Sequence, residues 1–62
     1  MKLLNFKDLE TQKGIRESDV TIWRRVKAGQ FPKPVRNGRR NYWVEAEIDE
    51  YLKGLIAQRQ NG

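Results

Sequence analysis

The sequence predicts a small α+β fold of about three helices and a two-stranded β-hairpin. Three observations predict it. Two short helical stretches, each opened by a capping side chain and closed near a glycine, are joined by a brief turn, which is a helix-turn-helix pattern. An Asn37-Gly38 pair sits between β-compatible residues, the strongest short-range hairpin signal. Apolar residues then recur at Ile48, Tyr51, Leu52, Leu55 and Ile56, the i, i+3, i+4, i+7, i+8 spacing of a helix face.

Taken in order, Leu3-Leu4 is a short extended entry. Asn5 is an N-cap whose side-chain oxygen can accept from a first-turn amide. Leu4 before it and Leu9 inside have hydrophobic-staple spacing, and Asp8 suits the positive helix end. Gly14 closes the first helix as a left-handed cap, so it spans about Phe6 to Lys13, with Phe6, Leu9 and the Lys13 stem inward. Ile15 is an apolar anchor in the connection. Ser18 caps the second helix, about Asp19 to Ala28, whose inner face is Ile22, Trp23 and Val26. Gly29 ends it and Pro32 prevents a restart.

Phe31-Pro32-Lys33-Pro34 is extended, because residues before proline are pushed out of the helical region. A two-residue turn at Asn37-Gly38 would place Arg36 opposite Arg39 and Val35 opposite Arg40. Like charges directly opposite repel. That cost makes sense against a polyanion, or the tip is simply solvated. The last helix starts near Glu45 with no good capping side chain. Glu45, Glu47, Asp49 and Glu50 crowd its positive end. Gly54 weakens it unless a backbone approaches closely there, and Gln58 to Gly62 is expected to fray.

A chain of 62 residues makes one domain at most, here residues 1–62 with an ordered core of about 3–59. Such a chain buries only about 60% of its unfolded surface. It has no cysteine and no histidine, hence no disulfide, no thiolate nucleophile and neither of the commonest metal-ligand types. Ser18 is its one serine and nothing in the sequence activates it. An enzyme is not expected, nor a cofactor. No apolar run exceeds three residues, so no membrane span is expected. The Met1-Lys2-Leu3-Leu4 start is too short for a signal peptide, and a cytoplasmic location is the expectation.

The net charge of +5 is concentrated. Residues 15–43 carry eight basic and two acidic groups, whereas residues 1–14 carry +1 and residues 44–62 carry −2. A surplus confined to one segment predicts a basic face on a neutral-to-acidic back. Glu45 and Asp49, four apart, could pair as catalytic or metal-binding carboxylates, but a solvated acidic face fits better without a histidine. Trp23, Tyr42, Trp43 and Tyr51 could stack on single-stranded bases. Their neighbours Ile22, Val35, Val44 and Leu52 favour core packing instead.

On the basic face, Ser18, Thr21, Arg24, Arg25 and Lys27 belong to the second helix, and Arg36, Asn37, Gly38, Arg39 and Arg40 to the hairpin. If that helix enters a DNA major groove, Thr21 and Arg25 are candidates for base contacts, since arginine can bond guanine with two hydrogen bonds. Ser18 and the free first-turn amides suit a phosphate. Arg24 can reach a phosphate or tie down the acidic start of the third helix. The arginines of the hairpin can follow the backbone or enter a minor groove.

The run Gly14…Thr21-Ile22-Trp23-Arg24…Val26-Lys27-Ala28-Gly29…Phe31-Pro32-Lys33-Pro34-Val35, then Trp43, then Glu47-Ile48-Asp49-Glu50-Tyr51-Leu52 resembles the AlpA-type phage transcriptional regulators. It is also similar to the phage and plasmid excisionases. Both are small MerR-like winged helix-turn-helix proteins, and the resemblance runs from about Leu4 to Arg59. It implies double-stranded DNA as the partner, the second helix as recognition helix, the hairpin as the wing and Trp43 as a core aromatic after it. It further implies either regulation of transcription or service as a recombination directionality factor, with an integrase as a second partner. Monomers in solution that associate side by side on DNA are expected. The Gly14–Ser18 turn looks longer than the commonest family form, which places Arg16 and Glu17 differently against a duplex. The short wing ending in Arg39-Arg40 is nearer the excisionases. Two rival functions come from other classes: an adaptor docking its basic face on an acidic partner such as an integrase, and an RNA-binding module.

Overall fold

Helix α1 (Phe6–Lys13) begins at a full capping box. The Asp8 amide donates to the Asn5 side chain at 2.7 Å, and the Asn5 amide donates back to the Asp8 carboxylate at 3.1 Å. Gly14, at φ +71°, ends it, and the Ile15 amide bonds back to the Leu9 carbonyl at 2.9 Å. That bond turns Ile15 into the core. Helix α2 (Asp19–Lys27) starts at Ser18, whose Oγ accepts from the Thr21 amide at 3.2 Å. Gly29, at φ +74°, closes it in a Schellman arrangement, with the Gly29 amide on Val26 and the Gln30 amide on Arg25. Ala28 is the cap residue, so the helix stops one position before the expected end. The structure, a computed structural model, describes residues 1–61, with side chains through Arg59.

Strands β1 (Leu3–Leu4), β2 (Val35–Asn37) and β3 (Arg40–Val44) form one antiparallel sheet in the order β1-β3-β2. The expected hairpin is therefore the outer part of a three-stranded sheet. Leu4 pairs with Trp43 and Leu3 with Val44. The Lys2 carbonyl then accepts from the Glu45 amide at 2.9 Å. This supplies the partner that the start of helix α3 (Glu45–Asn61) lacks in its own sequence.

The hairpin register differs from the one expected. Asn37 pairs with Arg40, Arg36 with Asn41 and Val35 with Tyr42, so the turn residues are Gly38 and Arg39. Only Gly38 has positive φ, at +64°. That is the pattern of a II′ turn, which needs glycine at its first central position, whereas a turn centred on Asn37-Gly38 would force Asn37 to positive φ as well. The slide has two rewards. Arg36 faces Asn41 instead of Arg39, and Val35 gains a cross-strand aromatic partner in Tyr42.

The core is built around Trp43. Its indole is 0% exposed and lies against Phe6, Trp23 and Phe31, with ring centroids 4.9, 6.2 and 6.0 Å away. Burying an indole removes on the order of 200 Å² from water, about 5 kcal/mol by area. Its Nε1–H donates to the Pro32 carbonyl at 2.9 Å, so the polar handle is satisfied too. Leu4, Leu9, Ile15, Ile22, Phe31 and Ile48 complete the buried set, with Phe6, Val26, Tyr51 and Leu52 packed on it. Core packing thus claims Trp43 outright. Trp23, Tyr42 and Tyr51 are half-buried.

Two expectations about α3 are corrected. Leu55 and Ile56 are 44% and 51% exposed instead of inward, and neither packs on the buried set, which α3 meets through Ile48, Tyr51 and Leu52. No atom lies within 4 Å of where a Gly54 Cβ would stand, so no backbone approaches there. The helix runs to Asn61, and Gly62, the last residue of the stretch expected to fray, lies outside the described residues.

Candidate nucleic-acid interface

The outer face of α2 follows from its inner one. Ile22 is buried and Val26 half-buried, so residues on the opposite side, at 100° per residue, are Val20, Arg24 and Lys27. Arg24 and Lys27 are exposed and have no ion-pair partner among the described residues. Arg24 does not tie down α3. Lys13 does so instead, with Nζ 2.8 Å from Asp49 and 3.2 Å from Glu45. Those hydrogen bonds raise the Lys13 ammonium above the ordinary lysine range. The Glu45–Asp49 pair is thereby a salt-bridged face, and no metal-binding cluster occurs among the described residues.

Arg25 sits elsewhere than expected. Its Nη1 is 2.6 Å from Glu17 Oε1 and donates to the Tyr51 hydroxyl at 3.3 Å. Burial works against the charged form, but the Tyr51 hydrogen bond and the Glu17 charge outweigh it, and the guanidinium is held above its ordinary range. A base reader needs free donors and a free reach, and Nη1 of Arg25 is bound to its own chain on two sides. The side chain instead links the long Gly14–Ser18 turn, through Glu17, to α3.

The helix start is occupied as well. Ser18 Oγ accepts from the Thr21 amide and donates to the Thr21 hydroxyl at 3.1 Å. Asp19 accepts from the Val20 amide at 2.8 Å. With a carboxylate already on it, this N-terminus is a poor seat for a phosphate, contrary to the expectation for Ser18.

The wing presents three further free cations. Arg36, Arg39 and Arg40 are all exposed and unpaired among the described residues, and Arg36 Nε donates to the Gly38 carbonyl at 3.3 Å. Side chains alternate along a strand. Arg36 and its partner Asn41 therefore lie on the same sheet face as Trp43, while Arg40, Asn37 and Tyr42 lie on the other. With Arg39 in the turn, the tip carries a guanidinium on each face and one at its end. Gly38 contributes the turn and Asn37 the strand end.

Of the eight basic residues between positions 15 and 43, Arg25 alone has a carboxylate partner among the described residues. Val20 was missed in the reading of the sequence. It is 61% exposed on the outer face of α2, beside Arg24 and Lys27. Its position two before Ile22, on the far side of the helix, is the signal that marks it.

A capped helix pair followed by a basic hairpin and a third helix defines a small winged helix-turn-helix protein. The chain belongs to the family of the Prophage CP4-57 regulatory protein (AlpA), whose model matches residues 2–56, and so to the phage regulatory proteins. No curated protein and no solved structure matches significantly.

Proposed function

We propose that the chain is a non-catalytic, sequence-specific double-stranded DNA-binding regulator of a phage or mobile element, working in the cytoplasm. Helix α2 lies in the major groove with Arg24 and Lys27 outward, and the wing arginines hold the backbone or enter a minor groove. The single observation that carries this reading is the segregation of charge. Seven of the eight cations of residues 15–43 are unpaired, from the turn before α2 through the wing, whereas elsewhere carboxylates hold Lys2, Lys13 and Lys53 and leave Lys7 and Arg59 unpaired among the described residues. Such a cluster costs self-repulsion that phosphates relieve.

The test is duplex binding at rising salt. With roughly six phosphate contacts, affinity should fall by about three orders of magnitude between 50 and 200 mM salt. Binding that barely changes with salt would contradict the reading. Stronger binding to single strands would favour an RNA-type ligand, and tight binding to an integrase without DNA would favour the adaptor. Transcriptional regulation and excision both follow from the same contact. A promoter reporter and a plasmid excision assay separate them.

A further inference from the structure

We propose that Val20 reads the 5-methyl group of a thymine, giving the protein a preference for a T·A pair at one position of its site. This rests on the reading of α2 as the helix that enters the major groove.

Val20 is the apolar member of an otherwise polar outer face. It stands 61% exposed, contributes nothing to the buried core, and lies one and two turns before Arg24 and Lys27. Together with Trp23 these side chains line a shallow hollow of about 340 Å³. Its lining joins a valine and a half-buried indole to two cations. Such a hollow takes a small apolar group presented on a polar, anionic surface. The thymine 5-methyl group is the apolar feature of the four base-pair edges in the major groove of unmodified DNA, and it lies within a polyanion.

Position favours Val20 over other side chains for this role. Residues near the start of a recognition helix approach the base edges most closely, and Val20 is the second residue of α2. Its amide already donates to Asp19 at 2.8 Å, so the side chain is what remains to meet a ligand. A β-branched side chain in a helix has one strongly preferred rotamer, so it presents the same methyls with little ordering cost. Arg24, one turn on, then faces the neighbouring base pair or phosphate.

The experiment is a uracil scan. Binding duplexes are first selected from a random pool with the intact chain. Each thymine of the selected site is then replaced singly by deoxyuridine, which removes one methyl group and keeps every hydrogen bond. Affinities are measured for the wild type, Val20→Ala and Val20→Thr. The expected result is one thymine whose replacement weakens wild-type binding about fourfold, the worth of one buried methyl-sized group. Val20→Ala should lose that sensitivity and Val20→Thr, which keeps one methyl, should retain part of it. Circular dichroism should be unchanged in both variants, because Val20 is exposed. A flat scan, or a sensitive thymine that stays equally sensitive in Val20→Ala, overturns the proposal and leaves the DNA-binding reading standing. Failure to select any duplex overturns both.

Discussion

Lys2, Lys13 and Lys53, on the side of the molecule built from β1, α1 and α3, each reach a carboxylate of the same chain. Arg24, Lys27, Lys33, Arg36, Arg39 and Arg40 reach none among the described residues. Both regions are rich in charge, but the net surplus lies in residues 15–43, and pairing is sparser there: one cation of eight has a carboxylate partner, against three of the five elsewhere, Lys7 and Arg59 being the other two. The first region uses cations to tie elements together, most clearly where Lys13 at the end of α1 holds Glu45 and Asp49 at the start of α3. The second sets cations side by side, and even its hairpin register avoids an Arg36–Arg39 pair while leaving both arginines free. Charges that do nothing for the fold are available for a partner.

Trp43 belongs to both regions, and its loss is the largest effect expected. Trp43→Ala should cost about 3–5 kcal/mol, enough to unfold a domain of this size. Urea denaturation followed by circular dichroism and by wing amide resonances should lose both signals together. A helical part that survives with only the wing melted would show that the regions are held separately.

Replacing Arg36, Arg39 and Arg40 together by alanine should sharpen the contrast next. Stability should stay within about 0.5 kcal/mol of wild type, as for exposed positions. Duplex affinity should drop for every sequence, and the log–log salt slope should flatten by about 3. Arg24→Ala and Arg25→Ala then test the two sides of α2. Arg24→Ala should cost about 1–3 kcal/mol on the preferred duplex and relax sequence preference. Arg25→Ala should lower the melting temperature and leave the ranking of duplexes unchanged. The reverse outcome would return the reading role to Arg25. On α3, Gly54→Ala should add about 1 kcal/mol to stability, since nothing blocks a Cβ there.

The smallest effect concerns pH. The folded state raises the Lys13 pKa through Asp49 and Glu45. The stability this supplies is fully present below the ordinary lysine pKa and is lost as pH rises through the folded value. Unfolding followed on the alkaline side should show a decline that Lys13→Met removes. An identical alkaline decline in both proteins would assign it to other groups.

What the sequence made legible was local chemistry. Asn5, Gly14, Ser18 and Gly29 each act within a few residues of themselves, and all four close or open the helices as expected. Ile22, Trp43 and Ile48 were placed inward by spacing or by neighbours. What stayed hidden depends on distant partners. Two residues, Leu3-Leu4, carry too little pattern to reveal a strand whose mate lies forty positions away. The hairpin register turned on which residues Val35 and Arg36 would face, which the Asn37-Gly38 pair alone does not decide. Arg25 looked like a reader because Tyr51, 26 residues on, was not yet beside it. Leu55 and Ile56 fit a helical stripe perfectly well, but a stripe is buried only where another element covers it.

The most direct test of the division between the two regions is an NMR titration of the isotope-labelled chain with a duplex of about 16 base pairs, one and a half turns. Shifts concentrated in residues 18–27 and 36–41, fading as salt is added, are the predicted result. Shifts concentrated in residues 45–59, or none at low salt, would contradict it and make the free cations of α2 and the wing a surface for something other than DNA.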